Sequence, residues 1–237
     1  MSGRLYLLPS PLADDTAAAV LPPATLAITH RLQYFLAESA KTARAFLKSA
    51  GHPAPMQALR IVEIGHRPAR EAIDGWLAPL RAGEDAAIVS EAGCPGVADP
   101  GADIVARAHA LGIVVQPLVG PSSLLLALMA SGLNGQAFRF VGYLPQDPAA
   151  LGARLRELER ASRSGETQLW IETPYRNERV LDAVLATCAP DTRLTIATDL
   201  TAATELIRTQ RVADWTRTVG GDRPALHRRP TVFGLLA

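Results

Sequence analysis

The sequence contains very little lysine and few aromatic residues, and neither sign of charge prevails. Only Lys41 and Lys48 are lysines among the 24 basic residues, and the others are all arginines. The 24 basic residues nearly balance 23 acidic ones, for a formal net charge of +1. This balance argues against a protein that coats nucleic acid by bulk charge, because such domains are strongly basic. It leaves room for a local basic patch.

Cysteine is also scarce. Cys94 and Cys188 are the only two, and the sequence has neither a CxxC motif nor a cluster of cysteine and histidine. These spacings predict neither a zinc site nor a disulfide framework. The five histidines are scattered along the chain, which is typical of surface and helix positions. We therefore expect no metal.

Long hydrophobic runs are missing as well. The longest apolar stretch, at residues 124–130, is far too short to span a bilayer. The first residues lack the basic start and apolar run of a signal peptide. We therefore expect a cytoplasmic protein that does not bind a membrane.

What the chain does have is alternation of short apolar runs with amphipathic stretches, over 237 residues of which 48% are hydrophobic. This pattern is typical of α/β proteins, and the length suits two domains. We predict α/β domains at residues 1–118 and 119–237. In the first, strands are expected at 5–8, 34–37, 61–64, 86–89 and 114–118, and helices at 24–32, 39–50, 68–81 and 102–111; a further helix at 122–131 opens the second. In the second, strands are expected at 138–141, 169–171, 193–198, 205–209 and 231–235, and helices at 148–162 and 178–187.

The most informative segment is SEAGCPGVADPG at residues 90–101, which directly follows a predicted strand. Three glycines let a ligand approach the backbone, and two prolines stiffen the loop. Loops at the carboxyl ends of strands are where α/β sheets bind ligands. The alternative is a tight turn without a ligand. Neither GxGxxG nor GxxxxGK[ST] is present, so a nicotinamide or nucleoside triphosphate site is not indicated.

Two further segments follow predicted strands. Pro9, Ser10 and Pro11 form a turn after the first strand, and the sequence VGPSS at residues 119–123 opens a helix. Ser122 suits the N-cap of that helix. Each segment alone is more typical of structure than of function.

Taken together, these segments resemble the tetrapyrrole methylase superfamily of S-adenosylmethionine enzymes, and within it the ribosomal RNA small subunit methyltransferase I branch. The turn at residues 9–14 stands in the place of a TPIGN-like turn, and residues 90–101 resemble an SDAGTP…DPG loop. Gly-Pro-Ser at 120–122, Gly-Tyr-Leu-Pro at 142–145 and Ile-Glu-Thr-Pro-Tyr-Arg at 171–176 are similar to GPS, GFLP and YESPHR segments. The resemblance covers nearly the whole chain, in order.

The resemblance implies two α/β domains of the class III methyltransferase type with S-adenosylmethionine in a cleft between them, no metal, and a homodimer. The strongly apolar helix at 122–131 also favours a dimer, although burial within one chain would explain it as well. By position, the cofactor-binding residues implied are Pro9, Ser90, Gly93, Pro95, Asp99, Ser122, Ser123, Glu172 and Ala197.

The sequence departs from the family pattern at four places. Asp14 follows Ala13 where the family has Gly-Asn, and Lys41 stands where an arginine ends the family's EDTR. Ala202 replaces a lysine, and Arg229 lies where the family has a KGE segment. These positions surround the substrate side in the family, so the departures leave the acceptor open.

A sulfonium already activates its methyl group, so the protein mainly aligns the acceptor and excludes water. A hydroxyl acceptor also benefits from a nearby base, for which the candidates are Asp14, Glu38 and Glu172. The acceptor is either a ribose 2′-hydroxyl of ribosomal RNA or a tetrapyrrole or other small molecule, and a third alternative is a cofactor-binding module without turnover. For RNA, we expect Arg176 and Arg179 to share a helical face that contacts the substrate.

Overall fold

The computed structural model describes residues 2–218 and 223–237. It separates into two compact units, one up to Ser122 and one from Ser123 onward. The division lies four residues beyond the boundary expected after residue 118.

The first unit is built on a five-stranded, fully parallel sheet with the strand order β3-β2-β4-β1-β5. Its strands are β1 (Arg4–Leu8), β2 (Tyr34–Ala37), β3 (Arg60–Glu63), β4 (Ala86–Val89) and β5 (Val114–Pro117). The helices are α1 (Ala17–Val20), α2 (Pro23–Arg31), α3 (Ala40–Ser49), α4 (Ile73–Arg81) and α5 (Ala102–Ala110). The carboxyl ends of all five strands lie at one edge of this sheet, so the loops that follow the strands are close together there.

Both faces of this sheet are buried, as is usual for parallel sheets. Tyr6 and Phe35 pack into one apolar cluster, whereas Leu5 and Tyr34, their neighbours in the chain, pack into another. This alternation follows from the two-residue period of a strand. Helices therefore have to cover the sheet on both sides, which the alternating strand-helix sequence supplies.

The second unit contains a mixed sheet with the order β6-β7-β10-β8-β9. Its strands are β6 (Phe138–Phe140), β7 (Thr167–Ile171), β8 (Arg193–Thr198), β9 (Leu206–Arg211) and β10 (Thr231–Leu236). The helices are α6 (Ser123–Ser131), α7 (Pro148–Ser162), α8 (Asn177–Thr187) and α9 (Val212–Arg217). Trp170 and Phe233 stack at a centroid distance of 5.4 Å in its core.

The predicted strands are confirmed with shifts of one or two residues at their ends. Four helices are followed by a glycine with a positive φ angle, at Gly51, Gly83, Gly112 and Gly132. The start of the helix expected at 68–81 was wrong. Ala69 is extended, with φ −68° and ψ 115°, so a 3-10 turn at Arg70–Ala72 leads into α4 and Pro68 lies outside the helix. The short helices α1 and α9 were not predicted, because neither has two full turns of periodicity.

Candidate functional site

Three loops meet at the carboxyl edge of the first sheet. Since β1 pairs in parallel with both β4 and β5, the segments after these three strands become neighbours. The ideal Cβ position of Gly120 lies 2.4 Å from Cβ of Pro9, so only glycine fits there without movement. Cys94 Sγ lies 3.5 Å from the carbonyl oxygen of Pro121 and donates to it. The predicted loop residues Pro9 and Gly93 and the segment 120–122 are thus brought together.

Ser10 and Ser90 fix the shape of the glycine-rich loop. The Ser90 hydroxyl donates to the Gly93 carbonyl oxygen at 2.7 Å, and the Ser10 hydroxyl donates to the Ser90 carbonyl oxygen at 2.6 Å. The backbones of Ser10 and Gly93 exchange hydrogen bonds of 2.9 and 3.0 Å. Gly93 has a φ of +76°, a conformation that side chains rarely adopt. Ser10 was not among the predicted site residues, although it occupies the turn that the sequence singled out.

A group of titratable side chains lies at the same edge. Glu38 follows β2 and is 8% exposed, and it pairs with Nδ1 of His66, which follows β3. Asp99 lies in the loop after β4, near Glu38 and Glu91. Burial and the proximity of these two carboxylates raise the pKa of Asp99 to about 8. Asp99 therefore keeps its proton at neutral pH.

His66 was missed by the sequence analysis, which read the histidines as scattered. Its place three residues after the end of β3 was a partial signal, since the loops after parallel strands converge, but the contact with Glu38 also requires β3 to lie beside β2. Asp14 is exposed and lines a neighbouring cavity of about 340 Å³ together with Ser10, Thr42 and Glu91. The structure thus brings Asp14, Glu38 and the loop 90–101 to one edge of one sheet.

Pro95 is buried within its loop, and Ser122 and Ser123 are half-buried at the start of α6. Ala197, in the second unit, is fully buried in β8 between β10 and β9.

Glu172 follows β7 and forms its polar contacts with residues of its own unit. Its Oε1 accepts a hydrogen bond of 3.1 Å from the Leu144 N–H, and its Oε2 lies 2.8 Å from Nη1 of Arg176. Arg176 also donates to the carbonyl oxygens of Leu144 and Pro145, at 3.2 and 2.8 Å. Burial raises the pKa of Glu172, while the Leu144 N–H and the Arg176 charge oppose the rise.

These contacts correct the expectation that Arg176 reaches RNA. Its guanidinium is 17% exposed and occupied by one carboxylate and two carbonyl groups, so it holds the loop at 142–145 against the end of β7. Arg229, one of the departures from the family pattern, likewise acts within its unit. It pairs with Asp199 at 2.8 Å and donates to the Thr204 carbonyl oxygen at 2.6 Å, closing the turn that contains Ala202.

Across residues 2–218 and 223–237, no group of three or more His, Cys, Asp and Glu side chains is arranged to hold a metal ion. None of the helices in the same residues is both long and apolar enough to cross a membrane.

Comparison with known proteins identifies the family. Residues 16–215 match the tetrapyrrole (corrin/porphyrin) methylases. This chain belongs to that family. Two solved structures share its fold: a uroporphyrin-III-C-methyltransferase from Thermus thermophilus, with a TM-score of 0.56 and 22% identity over 100% of this chain and 93% of the other, and the methyltransferase CobJ, with a TM-score of 0.63 and 18% identity over 99% and 94%.

Curated relatives of this tetrapyrrole methylase family member are named ribosomal RNA small subunit methyltransferase I. The Pseudomonas aeruginosa protein is 29% identical over 90% of this chain and 73% of its own length. The Streptococcus pyogenes protein is 32% identical over 84% of this chain and 66% of its own, and the Mesorhizobium japonicum protein is 38% identical over 60% and 47%. The chain thus spans about half to three quarters of these relatives. The family and the relatives' names both support a methyltransferase.

Proposed function

We propose that this chain transfers the methyl group of S-adenosylmethionine to a ribose 2′-hydroxyl of ribosomal RNA, in the cytoplasm. Its membership of the tetrapyrrole methylases and the names of its relatives support this proposal. The single structural observation that supports cofactor binding is the loop at residues 90–101, whose backbone conformation is fixed by hydrogen bonds from the hydroxyls of Ser10 and Ser90.

The residues present fit such a cofactor. Gly93 has no side chain to fill the loop, where a Cβ would lie 3.4 Å from Leu12, and the buried Oδ2 of Asp99 has no hydrogen-bond partner within the described part of the chain. When bound, the sulfonium supplies an activated methyl group. Backbone groups around Pro9 and Gly93 would hold the cofactor, with Ser122 and Ser123 beside them. We also propose that Glu172 and Ala197 of the second unit take part in binding the cofactor.

Among the three candidate bases, Glu38 has the most suitable surroundings. Glu172 is held by an ion pair with Arg176, and Asp14 is exposed to solvent. Glu38 is buried, lies near Asp99 and pairs with His66, whose side chain is 86% exposed. We propose that the Glu38 carboxylate accepts the proton released by the acceptor hydroxyl and that His66 positions Glu38 for this role.

The test has two steps. Calorimetry with S-adenosylmethionine and its demethylated product should show binding, and labelled methyl should then enter small-subunit ribosomal RNA from a strain that lacks this gene. Glu38→Gln should lower kcat at least ten-fold while cofactor affinity is kept, whereas Asp14→Asn should leave kcat nearly unchanged. Absence of heat with either ligand would refute cofactor binding, and with it the proposal.

A second candidate acceptor is a tetrapyrrole or another small molecule. The departures at Lys41 and Ala202 favour it, because cationic side chains that suit an RNA backbone are changed or lost there. If the cofactor binds but no labelled methyl enters RNA in the same assay, a tetrapyrrole or another small molecule becomes the better candidate acceptor. Cofactor binding with no transfer to RNA, tetrapyrroles or other small molecules would indicate a binding module without turnover.

We further propose a homodimer formed through α6. Leu125 and Met129 are one turn apart and are 51% and 80% exposed, so they form an apolar stripe, while Leu124 and Leu128 are buried. Exposed stripes of this kind mark contact surfaces. Light scattering should give twice the chain mass, and Met129→Glu should shift it toward the monomer. A monomer mass for the unaltered protein at all concentrations would rule the dimer out.

A further inference from the structure

An exposed aromatic ring lies at the edge of the second sheet, flanked by two basic side chains. Tyr175 is 68% exposed. The His227 ring meets it edge-on at a centroid distance of 5.9 Å, and Cζ of Arg228 lies 5.6 Å from the centroid of the tyrosine ring. His227 and Arg228 are themselves exposed. We call these three residues the aromatic platform.

The strand order explains why the platform forms. β10 runs antiparallel to β7, with Val232 opposite Ile171. The loop that precedes β10 and the loop that follows β7 therefore lie at the same edge of the sheet. This is the edge at which Glu172 lies, so the platform and the predicted site residue of this unit are neighbours.

Hydrogen bonds fix the positions of the two loops that form the platform. Asn177 is fully buried, and its amide donates to the carbonyl oxygens of Leu226 at 3.2 Å and Arg229 at 2.7 Å. The Arg228 N–H donates to the carbonyl oxygen of Pro174 at 3.1 Å, which ties the two loops together.

The backbone of Arg228 is strained as well. Its φ is +61°, in the left-handed region, which a non-glycine residue adopts only under strain. An arginine is thus present at a position where glycine would fit without strain. Backbone strain of this kind persists where surrounding contacts enforce it, and it is frequent at ligand sites.

The chemistry of the platform suits an unpaired nucleobase. A base can stack on an exposed aromatic ring, and an adjacent guanidinium can contact the neighbouring phosphate. Stacking needs no bulk positive charge, which agrees with the net charge of +1. A peptide or a membrane would call instead for a groove or a broad basic surface.

We propose that Tyr175, His227 and Arg228 bind one unpaired base of a single-stranded RNA segment, with the base stacked on Tyr175 and Arg228 on the adjoining phosphate. This proposal rests on the RNA substrate proposed above, and it assigns a residue to substrate binding rather than to methyl transfer. The platform is separate from Arg176, whose guanidinium is used within the protein.

The experiment measures binding of a short single-stranded RNA that carries one 2-aminopurine, by fluorescence anisotropy at several salt concentrations and by quenching of the 2-aminopurine on stacking. Tyr175→Ala should weaken binding roughly ten-fold to hundred-fold and abolish the quenching. Tyr175→Phe keeps the ring and should restore both. Arg228→Gly relieves the left-handed strain, so its stability should be kept or raised while affinity and the salt slope fall.

Phe138 supplies the matched control. It is 43% exposed and begins β6, opposite Thr167 at the start of β7, whereas the platform lies beyond the end of β7. Phe138→Ala should leave RNA affinity unchanged. Thermal unfolding of every variant separates loss of the platform from loss of the fold.

Three outcomes overturn the inference. If Tyr175→Ala binds and quenches as the unaltered protein does, the platform is refuted, while labelled methyl transfer into RNA would still uphold the proposed function. If Phe138→Ala weakens binding as much, the effect is not specific to the platform. If the unaltered protein neither binds nor methylates RNA, the platform and the RNA substrate both fail, while cofactor calorimetry still reports on the methyltransferase itself.

Discussion

Replacing Ser90 by alanine tests whether the glycine-rich loop is held by its serine hydroxyls. In the folded protein the Ser90 hydroxyl is 2.7 Å from the Gly93 carbonyl oxygen, in a buried environment. The same carbonyl also accepts the Ser10 N–H at 2.9 Å, so it keeps one partner in Ser90→Ala. We therefore expect the free energy of unfolding to fall by about 1 kcal/mol, rather than by the larger cost of a fully unpaired buried carbonyl.

Ser10→Ala removes a second bond from the same arrangement, the 2.6 Å contact with the Ser90 carbonyl oxygen. It should also cost about 1 kcal/mol. Because both bonds shape one loop, the double variant should deviate from additivity by roughly 0.5 kcal/mol or more. Cofactor affinity should fall about ten-fold in each single variant, since the loop backbone is no longer fixed for binding.

Urea unfolding gives the stabilities, and calorimetry with the demethylated cofactor gives the affinities. Ser164→Ala is the matched control, because the Ser164 hydroxyl donates to the Ala161 carbonyl oxygen at 2.9 Å in an exposed setting. It should change stability by less than about 0.5 kcal/mol. If Ser90→Ala matches the unaltered protein in midpoint and affinity, the reasoning about the loop is wrong.

Three further predictions concern pH, an ion pair and a close contact. The folded protein holds a proton on Asp99 up to pH about 8, whereas the unfolded chain releases it near pH 3.8, so stability should fall as pH rises between these values. Asp99→Asn should flatten this slope, by less than about 1.4 kcal/mol per pH unit because the carboxyl is partly solvated, as measured by urea midpoints from pH 5 to 8.5. Arg176→Met should cost about 3 kcal/mol at neutral pH and less as the pH is lowered, because burial raises the pKa of Glu172 and protonation removes its unpaired charge; a loss that does not change with pH would contradict the buried pair. Gly120→Ala forces its new methyl group against Pro9 and should lower stability by roughly 1–3 kcal/mol in thermal unfolding; an unchanged Tm would show that the two loops are not in contact.

The sequence was sufficient to predict the alternating strands and helices of the first unit and the loops that lie at one edge of its sheet. Continuous apolar runs such as that of β4 are typical of strands buried on both faces, and glycines or prolines are concentrated after β1, β4 and β5. The convergence of the loops at residues 9–11, 90–101 and 119–123 follows once those strands pair in parallel.

Contacts that depend on strand order could not be predicted from periodicity. His66 reaches Glu38 because β3 lies beside β2, an order that the sequence does not state. Arg176 was expected to lie on a helical face with Arg179, but it precedes α8, and its side chain forms an ion pair with Glu172. The platform around Tyr175 escaped notice for the same reason, since it needs β10 to pair with β7 across the intervening chain.

The pairing of Ser10 with Ser90 also bears on how the first unit folds. The two serines are 80 residues apart in sequence, and β1 finds both of its neighbours, β4 and β5, only after most of the unit has been made. During synthesis β1 therefore remains unpaired at first. β2 and β3 can pair earlier, because they are adjacent both in the chain and in the sheet. Contacts of such long range are slow to form. The loop at residues 90–101 takes its shape in this late step, so the part of the cofactor site that the first unit supplies should form abruptly, after β4 and β5 have left the ribosome, rather than by degrees.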